Sequence, residues 1–379
     1  MVPKMGRPKV GALSTYPEYL QAEIKKLREK NEGWGPISIL LELEEEYGYS
    51  QTNLPSRDSV HRFLEQEGLI KSKEPRGGGP LAKCPDPKEV HELWEMDAKG
   101  AVNVPDIGYQ ALIDIKDSRS KKYCMAFPVA VKNSSSQPRT DHYKWALRLA
   151  FCESGLPSAI QVDRDSVFIE NSSKSPFPSQ VHLWLLALGV DLCFIELAPP
   201  RKQAMVERSH QTLERQVIRG QRYECWKHFF QNCNKRRKRL NERFPSRGLG
   251  MKAPLQVFPE AKHSSRYYAV TQEEELLDIE KIYQFLAASV WYRSVSASKT
   301  VSLGSQKYSL KNAKPRSQVQ INFCSESKTL IFRKTNELEM IGQLPIKGLS
   351  KERLMGVDSA KKLITIKKKL YYRRDFSLM

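Results

Sequence analysis

Apolar residues along this chain follow three regimes in turn: helical spacing, short near-continuous runs, and strand-like alternation. In the first seventy residues Leu20, Ile24 and Leu27 form one stripe of a helix that starts at Pro17 and runs to about Lys30. Pro36 opens a second helix, with Ile37, Leu40, Leu41 and Leu43 inside, ending near Tyr47-Gly48. Ser56 is the expected N-cap of a third helix over about 57–67, which turns Val60, Phe63 and Leu64 inward and carries Arg57, Ser59, His61 and Arg62. Three short helices with a turn before the last predict a helix-turn-helix domain over 1–70; a generic three-helix bundle is the bland alternative. Gly6-Arg7-Pro8-Lys9 before them reads as a minor-groove arm or as a frayed terminus.

Pro and Gly around Gly77–Gly79 forbid regular structure and mark a linker over 71–90. Residues 91–260 then alternate strand and helix. Strands are expected at Leu93–Asp97, Tyr109–Ile115, Tyr123–Val131, Ala159–Val162 and Asp191–Leu197, and helices at Asp141–Cys152, Gln180–Leu188 and Gln203–Val217. The apolar run at Tyr123–Val131 predicts a central strand. A helical connector follows over 261–284. Short β runs return at Val290–Val295, Thr300–Leu303, Lys307–Leu310, Val319–Phe323, Thr329–Phe332 and Leu338–Leu344, a small antiparallel barrel or sandwich over 285–347. A tail over 348–379 has seven Lys/Arg in 361–374. The fold class is thus multidomain: all-α, then α/β, then all-β.

Charge changes the picture. The formal net charge is +19, and residues 201–250 hold fourteen Lys/Arg against four Glu. A clustered excess of this size predicts a polyanionic partner, nucleic acid before any other. Lys235-Arg236-Arg237-Lys238-Arg239 is the densest run and reads as phosphate-binding, with nuclear targeting as the weaker alternative. Tyr223, Trp226, Phe229 and Phe230 before it have helical spacing and read as core. The seven cysteines include no C-x-x-C, and several sit in apolar runs, so buried thiols in a reducing compartment are expected. Without a bilayer-length apolar run or a signal-peptide pattern, the expectation is a soluble, cytoplasmic, nucleoid-associated prokaryotic protein.

Three acids stand at element ends in the middle segment. Asp97 ends the first strand, Asp163 ends the fourth, and Glu207 lies in the first turns of the long helix. Sites in open α/β sheets form just beyond strand ends. Carboxylates converging there suit Mg²⁺, which takes oxygen ligands and keeps several waters. Asp114 and Asp117 read as surface or turn residues.

These segments resemble the DDE core of the transposase and retroviral-integrase superfamily. The likeness is carried by Leu93-Trp94-Glu95-Met96-Asp97, by Gln161-Val162-Asp163-Arg164-Asp165, and above all by Val206-Glu207-Arg208-Ser209-His210-Gln211-Thr212-Leu213 after Pro199-Pro200. Val301–Tyr308 and Pro345–Leu349 resemble the small β-barrel that follows this core in Mu-type transposases. The resemblance implies an RNase H-like catalytic core over 91–260. It implies that Asp97, Asp163 and Glu207 bind two Mg²⁺ ions, for which Mn²⁺ can substitute. Hydrolysis would expose a 3′-hydroxyl, and the same site would direct it at a second phosphodiester, with no covalent enzyme intermediate. Double-stranded DNA would be the substrate, read by Arg57, Ser59, His61 and Arg62 and held by Arg201, Lys202, Arg208 and Lys235–Arg239. A homo-oligomer would assemble on it, and a helper ATPase is a compatible partner. The pattern also departs from the family: Arg164-Asp165 replaces the usual Asn-Gly, Met205 replaces a Gly, and 43 residues lie between Asp163 and Glu207, an excess assigned to a surface loop at Asn171–Pro178. Asp165 is then a turn residue or a neighbouring ligand, with the turn favoured, and His210 reaches the site or lies on a plain helix face. A catalytically silent DNA-binding regulator and a structure-specific nuclease of the same fold are the competing functions.

Overall fold

A computed structural model describes residues 11–31, 34–45, 47–69, 84–169, 175–195, 217–218, 221–335 and 339–356. The chain divides into two compact units, Met1–Pro75 and Arg76–Met379, with the division inside the predicted linker. The basic arm at 6–9, most of that linker and the tail from 357 lie outside the described residues.

In the first unit, helices α1 (Glu18–Lys30), α2 (Pro36–Glu45) and α3 (Arg57–Gln66) enclose Leu20, Ile24, Leu27, Ile39, Leu43, Val60, Phe63 and Leu64. The Ser56 hydroxyl accepts the Ser59 N–H at 3.2 Å and caps α3 as expected. Arg28 ties the open ends together, donating to the carbonyls of Trp34 at 2.7 Å and Leu69 at 3.1 Å. One expectation is corrected: Ile37 and Leu41 are 56% and 48% exposed, and Ile39 faces inward beside Leu43, which is buried as expected. The run Ile37-Ser38-Ile39-Leu40-Leu41 places apolar residues around most of a turn, so its pattern does not select a face.

The second unit is built on a five-stranded sheet. Strands β1 (Leu93–Val104), β2 (Gly108–Asp117) and β3 (Tyr123–Ala130) form an antiparallel meander, and β4 (Ala159–Val162) and β5 (Asp191–Phe194) run parallel to β1. The order is β3-β2-β1-β4-β5. This mixed sheet, with further β structure after it, is compatible with an integrase-core fold. Helices α4 (Thr140–Ser154) and α5 (Gln180–Ala187) connect the later strands, and α6 (Trp226–Glu242) follows the sheet. β1 is longer than expected: it continues past Asp97 to Val104, because β2 goes on pairing with it after β4 has stopped.

β3 is an edge strand, not a central one. Its apolar run reflects cover on both faces, since seven of its eight residues are buried. On one face Ala126 and Tyr123 pack with Phe229, Cys233 and Leu240 of α6; Met125 and Val129 join the cluster that holds Tyr143, Leu147 and Phe151 of α4, and Phe127 meets Trp226 and Phe230 of α6 edge-on. α6 also closes the exposed edge. Asn241 accepts the Tyr123 N–H at 2.8 Å and donates to its carbonyl at 2.9 Å, and Arg237 donates to the Tyr123 and Cys124 carbonyls at 3.1 and 3.0 Å. Side chains thus take the place of a further strand.

After a connector, helix α7 (Ile279–Ala287) leads into β6 (Val290–Ser294), β7 (Thr300–Leu303), β8 (Gln306–Ser309), β9 (Gln318–Cys324), β10 (Thr329–Lys334) and β11 (Met340–Pro345), with α8 (Lys351–Met355) last. Of the barrel or sandwich expected here, the described residues show no closed barrel. They form an open antiparallel sheet, β11-β10-β9-β6, and a separate β7-β8 hairpin, because β7 and β8 pair only with each other. The hairpin turns on Gly304 and Ser305, both at positive φ, as a two-residue turn of this hand needs. Gly304 has a second reason: a Cβ there would stand 2.7 Å from the Phe177 ring. The described part of the expected Asn171–Pro178 loop, Ser175–Pro178, is therefore no surface loop; residues 171–174 lie outside the described residues. Ser175 and Phe177 are buried, the Tyr292 N–H donates to Ser175 Oγ at 2.8 Å, and Trp291 Nε1 donates to the Pro176 carbonyl at 3.2 Å. One apolar cluster runs unbroken from Trp94 of the sheet to Phe332 of the β module.

The connector carries a buried polar network that nothing in the sequence pattern marks. Glu273 is fully buried and accepts from Arg148 Nε and Nη2, both at 2.7 Å, from the Tyr268 hydroxyl at 2.5 Å and from Trp184 Nε1 at 2.9 Å. Arg148 also donates to the Met355 carbonyl, and Lys144 to that of Leu354. Helices α4 and α5, the connector and the C-terminal segment are tied at one point.

Candidate functional site

The site follows from strand register. β1 and β4 pair in parallel through Leu93↔Ala159, Trp94↔Ile160 and Glu95↔Gln161. Continuing the same offset brings Asp97 level with Asp163. Neighbouring strands lie about 4.8 Å apart, and side chains at one level of a parallel pair point to one face. The β1–β4 pairing ends at Glu95↔Gln161, two residues before Asp97, and Asp163 is the first residue beyond β4. Both therefore sit just past the carboxyl end of the parallel pairing, where β1 continues with β2 as its antiparallel neighbour.

Both line one open cleft of about 120 Å³ together with Met96, Ala98, Gln137, Tyr143, Asp165 and Phe168. The volume holds several waters. Partial burial, then the neighbouring Asp97 charge, push the Asp163 carboxyl above its ordinary value. Burial first, then Asp165, Asp163 and Asp97, push the Tyr143 phenol up. Asp165 is held as a turn residue: its Oδ1 accepts the Val167 N–H at 2.9 Å and the Ser166 hydroxyl at 3.2 Å. The third predicted acid, Glu207, lies outside the described residues, as do Arg201, Lys202, Arg208 and His210. Among the described residues, no three Asp, Glu, His or Cys side chains meet closely enough to hold a metal ion. The pair that is described fits a hard divalent cation. Its donors are all oxygen, and the like-charge repulsion that raises Asp163 is what a cation relieves.

Asp114 and Asp117 depart from their expected places, being 4% and 0% exposed. Asp117 is a turn residue, but a buried one, accepting the backbone N–H groups of His91 and Ser120, each at 2.6 Å. Asp114 pairs across the strands with Asp97 and shares its face, near Cys233 of α6. Its position follows the two-residue period of β2, but the run Ala111-Leu112-Ile113 hides that period in the sequence. Tyr143 and Gln137 were missed too. Tyr143 reads as an ordinary member of the α4 apolar stripe, and Gln137 as part of a polar loop.

The predicted DNA-contacting residues separate by exposure. Arg57 and Arg62 are exposed on α3, His61 is half-buried, and Ser59 shares a hydrogen bond of 2.9 Å with the Ser56 hydroxyl. On α6, Lys235, Lys238 and Arg239 are exposed and Arg236 is half-buried. Arg237 is corrected: it is 1% exposed, and besides the β3 carbonyls it holds Glu153 at 2.6 Å. Five consecutive cations cannot share one face of a helix, and the fourth-residue spacing of Cys233, Arg237 and Asn241 points the middle one inward.

Among the described residues no helix is long and apolar enough to cross a membrane. No family model matches the chain. Among solved structures it is similar to a chain from the simian T-cell lymphotropic virus intasome in complex with PP2A regulatory subunit B56 gamma. That match has 12% identity, 86% of this chain, 96% of that chain and a TM-score of 0.34. It is also similar to the HTLV-2 integrase catalytic core domain in complex with magnesium, in trimeric and dimeric forms. Identities there are 12% and 13%, covering 44% of this chain and 95% and 94% of those chains, with TM-scores of 0.32 and 0.31.

Proposed function

We propose that this chain is a DNA transposase of the integrase superfamily, cutting at element ends and joining them to target DNA. The observation that carries the reading is that Asp97 of β1 and Asp163, the first residue beyond β4, line one cleft just past the last β1–β4 pair. Asp97, Asp163 and Glu207 would hold two Mg²⁺ ions, which when bound stabilise charge on the attacking and leaving oxygens of a phosphodiester. The chain's own contribution is rigidity. Asp97 is held by β2 as well as β1, and Asp163 Oδ1 accepts the Asp165 N–H at 3.3 Å.

The remaining parts fit the same task. Arg57 and Arg62 on α3 are exposed beside the half-buried His61, as a recognition helix would present them, and Lys235, Lys238 and Arg239 present positive charge beyond the sheet. Pairing two DNA ends calls for a homo-oligomer. The test is strand transfer in Mg²⁺ or Mn²⁺, with labelled duplex from the DNA flanking the coding sequence and a plasmid target, comparing wild type with Glu207→Gln. Joined product lost in the variant with DNA binding retained is expected. Binding without cleavage by wild type in either metal would make the chain a regulator; cleavage without joining would make it a nuclease.

A further inference from the structure

The cleft poses an electrostatic problem for a nucleic-acid substrate. Its lining carries three carboxylates, and a phosphodiester arriving there brings another negative charge. Cations answer part of this. Fixed hydrogen-bond donors aimed at the phosphate answer the rest, and they cost no reorganisation at the moment of reaction. Among the lining residues two side chains can donate: Gln137 and Tyr143.

Tyr143 is the better placed. It lies in the first turn of α4, and the helix fixes its backbone. Its ring is buried at 3% exposure and packs edge-on against Phe168, with centroids 4.9 Å apart. The side chain lines the same cleft as Asp97, Asp163 and Asp165. A buried tyrosine normally finds a partner for its hydroxyl. Among the described residues the Tyr143 hydroxyl has none, and the side chain borders the cleft. A ring locked in place behind an unpartnered donor is what a preorganised substrate contact requires. Gln137 is exposed in the loop before α4 and lacks that rigidity.

We propose that the Tyr143 hydroxyl donates a hydrogen bond to a non-bridging oxygen of the phosphodiester seated in this cleft. This rests on the proposed DNA-processing function and adds a substrate contact from α4 to it. Tyr143 forms no covalent bond in this role: three neighbouring carboxylates oppose the phenolate that a tyrosine nucleophile needs.

Tyr143→Phe removes one oxygen and keeps the ring, so the fold should be unaffected. The experiment measures three quantities on full-length wild type and variant: melting temperature, affinity for the flanking duplex with and without Mn²⁺, and joining rate at saturating DNA. Unchanged melting temperature and metal-free affinity are expected. The Mn²⁺-dependent gain in affinity should fall about threefold or more, and the joining rate about tenfold or more. A variant equal to wild type in both the gain and the rate overturns the proposal. So does a loss of activity accompanied by a marked drop in melting temperature, which would make the hydroxyl structural. If wild type joins nothing, the function fails, and the Mn²⁺-dependent gain still decides Tyr143. A wild type with no such gain defeats both.

Discussion

Arg237 and its neighbours in the basic run should behave as opposites, though the sequence presents them alike. Replacing Arg237 by Ala removes the donors to the Tyr123 and Cys124 carbonyls and the partner of Glu153. The Tyr123 carbonyl keeps its bond from Asn241, so the heaviest loss falls on that of Cys124. A buried acceptor left without a donor costs about 1–3 kcal/mol, and the stem of a fully buried Arg adds packing that Ala does not restore. The Glu153 side chain is 41% exposed, so its ion pair with Arg237 is largely screened and adds little. The total expected is about 3 kcal/mol, a loss concentrated in the β3 edge. By contrast, Lys235, Lys238 and Arg239 are exposed, and replacing all three by Ala should leave stability within about 0.5 kcal/mol. If each neutralises one phosphate, the triple variant should flatten the slope of log K against log salt by about 2.7. Chemical denaturation followed by DNA titration over a salt series reads both effects. An Arg237→Ala protein that keeps wild-type stability and loses about one unit of salt slope would refute the assignment.

Other outcomes follow from the same geometry. Asp97→Asn and Asp163→Asn should each reduce joining to background while DNA affinity measured without metal stays within about twofold, since neither carboxylate favours an approaching phosphate; a strong loss of metal-free binding would count against a metal-holding role. Burial holds His182 down at about 4 against an ordinary value of 6.5, so the unfolded chain binds the proton more readily. Stability from the neutral imidazole is complete above about pH 6.5 and is lost as pH falls toward 4, by up to about 3 kcal/mol. His182→Phe should flatten that acid limb in urea titrations at stepped pH, and an unchanged limb would exclude His182 as its source. Glu273→Leu leaves the Arg148 guanidinium buried without its carboxylate and should cost about 3–5 kcal/mol, and adding Arg148→Met should recover part of that loss; a double-variant loss equal to the sum of the two single losses would show that the pair is not coupled.

What the sequence made legible, and what it did not, divides along one physical line. Signals that act within a few residues could be read directly. Ser56 caps α3 because its hydroxyl reaches the N–H three residues on, and β4 spans Ala159–Val162 as its apolar run indicates. Asp97 and Asp163 were readable for a similar reason, each following an apolar run that had to be a strand. Properties set by distant partners were not readable. The apolar run of β3 records cover by α4 and α6 and says nothing of its place at the edge. Arg237 looks like one cation in five until α6 is laid against that edge, and Glu273 looks like one acid in the run Glu273-Glu274-Glu275 until Arg148 meets it. Tyr143 belongs to both classes at once. Helical spacing puts its ring in the core, where it is found, but only the pairing of β1 with β4 brings the two aspartates to the far end of that ring. A residue can therefore satisfy every local rule for a core position and still present a polar atom to the site. The cleft's described lining has few donors, so that is where a substrate contact is to be sought.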